Sequence, residues 1–141
     1  MVALTEHFTI GDFAQPALYG CPAMPYPEEW IGERAIPLAN VLEALRTELG
    51  GMHVQVTSGY RSPAFNEALR RAGYRVVRNS QHCFGRAADV FVPGRSPIEV
   101  YSAALHLHLP GKVRLGGLGL YAGWVHIDIR PGSFVRWLAV S

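Results

Sequence analysis

Cysteine is scarce in this sequence of 141 residues: Cys21 and Cys83 stand alone, with no Cys-x-x-Cys and no zinc-knuckle spacing. A single disulfide is the most they allow, and two free thiols are the expected state. No apolar stretch approaches the roughly 18 residues that cross a membrane, so no membrane span is expected. The N-terminus has no basic region ahead of an apolar run, so no signal peptide is seen and synthesis in the cytoplasm is expected. A formal charge of +2 is too small to demand a nucleic-acid partner. His-Glu-x-x-His is missing, and the glycine run 116–119 lacks the Gly-Lys-Ser/Thr ending of a phosphate loop. Within strands, such glycines more often mark close packing.

What is present suits one globular domain over 1–141: 49% of residues are hydrophobic and 17% charged, which argues against disorder. Residues 1–34 form an arm, partly irregular. Thr9-Ile10-Gly11-Asp12 is a capping box ahead of a short helix, and Pro16, Pro22, Pro25 and Pro27 disfavour regular structure after it. Leu38, Val41, Leu42, Leu45 and Leu49 fall at helical spacing, and Gly50-Gly51 ends the helix. His53–Thr57 reads as a strand. A helix opens at Ser62-Pro63 and stops at Gly73. A strand at 87–92 follows, then a helix from the capping box Ser96–Glu99 to about Leu107. Strands are expected at Val113–Tyr121, Trp124–Ile129 and Phe134–Ala139, joined mostly as hairpins through Ala122-Gly123 and Pro131-Gly132. This order predicts an α+β domain with a largely antiparallel central sheet and helices packed on it.

Two stretches bear the chemistry. Ser80 to Asp89 holds His82, a turn at Gly85, and an aspartate leading into Val90-Phe91-Val92. A carboxylate opening such a strand is costly to bury unless a cation or strong donors meet it. In Trp124–Ile129 the alternation of a strand sends Val125, Ile127 and Ile129 to one face and Trp124, His126, Asp128 and Arg130 to the other. His82, Asp89 and His126 together supply two nitrogens and one oxygen, a three-ligand zinc set with an open fourth position. Zinc there would lower the pKa of its bound water and polarise a carbonyl. His106 and His108 share a helix at a spacing that does not face one ligand.

Ser80-x-His82-x-x-Gly85-x-Ala87-x-Asp89 resembles, position for position, the zinc motif of the D-Ala-D-Ala carboxypeptidase-type metallopeptidases, whose superfamily includes lysostaphin-type enzymes and hedgehog domains. Ser58-Gly59-Tyr60-Arg61-Ser62 is similar to the family's upstream element. Gly116 to Tyr121 followed by Val125-His126-Ile127-Asp128 is similar to the C-terminal strands of its murein-endopeptidase branch. The resemblance implies a hedgehog/D-Ala-D-Ala peptidase-like fold and Zn2+ held by His82, Asp89 and His126. It implies hydrolysis of a peptide bond in bacterial peptidoglycan, in the stem or cross-link next to a D-amino acid, by zinc-bound water.

Arg61 is then expected to hold substrate or oxyanion. Ser80 is expected to bind substrate backbone or brace His82, and Trp124 to line a substrate groove. The carboxypeptidase members carry a glutamate three residues before the last ligand, where this chain has Gly123. Asp128 is the candidate base in its place, or an outer group orienting an imidazole. A monomer acting on the cell wall, as an endolysin-like phage-type enzyme or a particle-associated one, is expected. The alternative is a binding module of the same fold that keeps zinc but not catalysis.

Overall fold

The helical stripe of leucines is realised in α1 (Ile36–Glu48), which continues a wide π turn at Ile31–Ala35. Leu38, Leu42 and Leu45 are buried along it. Residues 2–139 are described by a computed structural model; Met1, Val140 and Ser141, part of the domain expected over 1–141, lie outside the described residues. Next come β1 (Gln55–Ser58) and α2 (Pro63–Arg71), the latter capped by Ser62, whose hydroxyl accepts from Phe65 N. β2 (Ala87–Phe91) and α3 (Pro97–His108) follow, and the capping box Ser96–Glu99 is formed in full. β3 (Gly117–Tyr121), β4 (Val125–Asp128) and β5 (Val135–Ala139) complete the chain. Among the described residues no helix is long and apolar enough to cross a membrane.

The five strands form one sheet in the order β1-β2-β4-β3-β5. Three pairings are antiparallel and β3–β5 is parallel. The α+β class and the largely antiparallel sheet are therefore as expected. The hairpin into β5 is not. Both edges of β4 are taken, by β2 and by β3, so the chain passes across the start of β3 and pairs along its far edge.

Strand limits also differ from expectation. β1 starts at Gln55, opposite Phe91 at the end of β2, so His53 and Val54 have no partner there. Residues 113–116 precede β3 rather than belong to it. Val113 N bonds back to Leu107 O and Leu115 N to His108 Nδ1, which ties this segment to the end of α3.

One face of the sheet, through Val90, Leu118, Leu120, Val125 and Ile127, packs with α1 and α3 to make the core. The other face bears the polar residues. Register places Ser58, Asp89, His126, Gly119 and Trp137 in a single row crossing all five strands. Successive residues of a strand alternate faces, so this row is opposite the core.

Candidate metal centre

His82 sits on a short 3-10 turn, Gln81–Phe84, rather than on the sheet. Ser80 caps the turn, its hydroxyl accepting from His82 N at 3.2 Å, and Gly85 ends it with φ +68°. No other residue fits at 85: a Cβ there would lie 2.6 Å from the Tyr26 hydroxyl. Asp89 and His126 are cross-strand partners, so one ladder brings them together.

The ring nitrogens are assigned by their partners. His82 Nδ1 is 2.7 Å from the Gly59 carbonyl, which has no hydrogen to give, so this nitrogen donates. Nε2 then turns a lone pair to Asp89 Oδ1 at 3.2 Å. His126 is arranged the other way round. Its Nε2 donates to Asp128 Oδ2 at 2.7 Å, leaving Nδ1 at 3.2 Å from the same Asp89 oxygen. Two imidazole lone pairs and a carboxylate thus converge, with donor atoms within 4.8 Å of one another and all three residues buried. A cation among them relieves the repulsion. The N, N, O donor set is one zinc takes, and each free ring nitrogen is fixed in the manner of metal-ligating histidines, so these residues fit zinc.

Charge is organised accordingly. Burial would raise the Asp89 pKa, but the two imidazoles set against it favour the ionised form and hold the carboxyl far below the usual range. Burial lowers His82, keeping the ring neutral, as a ligand must be. Burial opposes the charged form of His126 too, yet hydrogen bonds to Asp128 and Asp89 prevail and raise it. Burial likewise acts against ionised Asp128, but its bonds to His126 and Arg130 push it well below the usual carboxylate range.

Arg61 lies at this centre. Its Nη2 donates to Asp89 Oδ2 at 3.1 Å and its Nε to Ser58 Oγ at 3.0 Å. Ser80 braces the His82 backbone and also lines the cleft. Trp124 lies outside β4, 37% exposed and stacked flat on Tyr121 with centroids 4.8 Å apart. These three, with His82, Asp89 and His126, line one cleft of about 400 Å³. Asp128 does not line it. No part of Asp128 is exposed, and it stands behind His126, gripped by Arg130 through the backbone N, Nε and Nη2. Gly123 is exposed, and among the described residues that line the cleft Asp89 is the one carboxylate.

Two contributors escape sequence reasoning. The Gly59 carbonyl carries no side-chain signal. Alternation sets Arg130 on the His126 face, but no local pattern announces its grip on Asp128. Trp137 lies 5.1 Å from His126, centroid to centroid, because Gly119 leaves room for its indole. The glycine run therefore serves close packing. Cys21 and Cys83 are free thiols, and burial raises the Cys83 pKa, so it is no ready thiolate.

Residues 37–137 match the family described as peptidoglycan L,D-endopeptidase MepK. A Haemophilus influenzae protein named probable peptidoglycan L,D-endopeptidase MepK is 35% identical over 91 residues, 62% of this chain and 46% of that protein. The Escherichia coli K12 peptidoglycan L,D-endopeptidase MepK is 38% identical over 80 residues, 55% of this chain and 41% of the relative. Less than half the length of either relative is thus covered. No solved structure matches significantly. The family match extends over most of the chain, from α1 into β5, and takes in every residue of the candidate centre: this chain belongs to the peptidoglycan L,D-endopeptidase MepK family, in the murein-endopeptidase branch of the D-Ala-D-Ala peptidase-like metallopeptidases.

Proposed function

We propose that this chain is a zinc peptidase that hydrolyses a peptide bond in bacterial peptidoglycan. The observation that carries this reading is the convergence of His82, Asp89 and His126 at the floor of an open cleft. Zinc held by these three residues would supply the Lewis acidity needed to activate water and polarise the scissile carbonyl. Arg61 anchors Asp89 and offers its remaining donors to a substrate carboxylate or to the oxyanion formed during attack. Trp124 and Tyr121 present an aromatic wall to the bound chain. Asp128 is assigned the orienting role: it keeps the proton on His126 Nε2 and so leaves Nδ1 as the metal donor. Its full burial and its bonds to Arg130 support that role over proton transfer.

An L,D-peptide bond is the first to test, given the names of the relatives. Purified peptidoglycan is incubated with zinc-loaded protein and the products are read by mass spectrometry, with His126→Ala as control. Fragments from the parent alone establish the peptidase and identify the bond. One observation favours a second reading, a zinc-containing wall-binding module: among the described residues Asp89 is the only carboxylate lining the cleft. One equivalent of zinc bound with no fragments from several wall types would establish that instead.

A further inference from the structure

The family match begins at residue 37, yet the chain before it is not a loose leader. Phe13 is fully buried, Gln15 is 2% exposed and Tyr26 4%. Their polar atoms converge on two short segments. Phe13 O accepts from Tyr60 N at 2.8 Å, and Gln15 Oε1 accepts from Ser62 N at 2.7 Å. Both bonds grip the segment 59–62. Tyr26 donates its hydroxyl to the Gly85 carbonyl at 2.6 Å, gripping the other segment.

These two segments are what hold His82. The Gly59 carbonyl takes the Nδ1 proton of its ring. Its own carbonyl accepts from Arg61 N and from Gly85 N, both at 3.2 Å. The ring and the carbonyl of His82 are therefore fixed by a loop segment and a glycine that the arm pins. The fit is close at both places. A Cβ at Gly59 would lie 2.6 Å from Phe13 Cα, and one at Gly85 would strike Tyr26 and Trp30. Gln15 is engaged at both ends, its Nε2 donating to Pro22 O at 2.9 Å, so the arm is braced within itself.

We infer that the N-terminal arm is a working part of the metal centre, with Tyr26 and Gln15 as positioning residues that set the orientation of the His82 ring. A ligand's outer partners decide which nitrogen faces the metal and how freely the ring turns. Here those partners are peptide groups, which lack side chains of their own to anchor them. The arm supplies the anchorage. The part of this inference that concerns metal affinity rests on the zinc reading; the part that concerns the ring does not.

The test uses the full chain and two readouts. In metal-free protein, exchange of the His82 Nδ1 proton with solvent is followed by NMR in the parent, in Tyr26→Phe and in Gln15→Leu. Tyr19→Phe is the control, since that hydroxyl bonds Tyr74 and touches neither segment. Exchange at least about tenfold faster in either arm variant, with the control unchanged, is expected. Cobalt affinity, read from visible absorbance, is expected to fall by about tenfold, the lower end for outer partners of a metal ligand. Unchanged exchange in both folded variants overturns the inference whatever their melting temperatures, because a merely structural arm would lower stability alone. A parent that binds no metal would count against the zinc reading, while the exchange rates still decide this one.

Discussion

Gly117 faces Asp128 across the β3–β4 ladder, and the carboxylate occupies the space a side chain at 117 would need. The buried acid behind His126 is thus seated by the absence of a side chain on the next strand. Gly119 does the same for Trp137, one row along.

Gly117→Ala therefore forces Asp128 or the strand to shift. Overpacking of this kind costs about 1–3 kcal/mol, so the melting temperature falls. Zinc affinity is expected to drop about 10-fold to 100-fold as His126 loses its partner. A competition titration with a chromophoric chelator measures it. Native affinity in the folded variant would show that Asp128 does not orient His126.

Asp128→Asn keeps the volume and removes the charge. Arg130 then loses its carboxylate, and because its side chain is 29% exposed the cost is below the roughly 3–5 kcal/mol of a fully buried pair. Zinc affinity again falls about 10-fold to 100-fold. Were Asp128 the proton acceptor instead, turnover would collapse with zinc still tightly held, and measuring kcat beside metal content distinguishes the two.

Arg61→Lys keeps the charge but not the planar fork that reaches Asp89 and Ser58 together. If its free donors meet the oxyanion, kcat on a peptidoglycan fragment falls about 100-fold, with zinc content unchanged. A rise in KM alone would assign Arg61 to ground-state binding.

Metal affinity must depend on pH in a defined direction. Apo His126 titrates above its ordinary value of 6.5, because Asp128 and Asp89 favour its charged form despite burial. Zinc binding needs its Nδ1 unprotonated, so binding releases that proton and affinity rises with pH. Affinity is expected to weaken as pH falls through the raised His126 value and to decline further below 6.5. Isothermal titration in buffers of different ionisation enthalpy counts the released proton. An affinity flat across this range would exclude His126 as a ligand.

Much of this was legible in the chain itself. The spacing from His82 to Asp89 spans one turn and enters one strand, and the alternation through Val125-His126-Ile127-Asp128 sets imidazole and carboxylate on one face. Capping boxes at Thr9 and Ser96, and the Ser62 cap, are local rules that tertiary context left alone. All of these act within a few residues, so backbone geometry alone decides them.

The rest was settled by register and closure. That β5 runs parallel to β3 follows from the occupied edges of β4, which no local pattern announces. Which nitrogen of His82 faces Asp89 depends on a carbonyl 23 residues away, at Gly59, and that carbonyl's place depends on Phe13 and Gln15. Asp128 was recognisable as a partner of the centre, but whether it met the cleft or stood behind His126 turned on Arg130 and on the room left at Gly117. Sequence determined the donor types and their spacing, because these are local. Tertiary structure alone decided their orientation, because hydrogen bonds between distant segments form only once the sheet is assembled and the arm has packed against it.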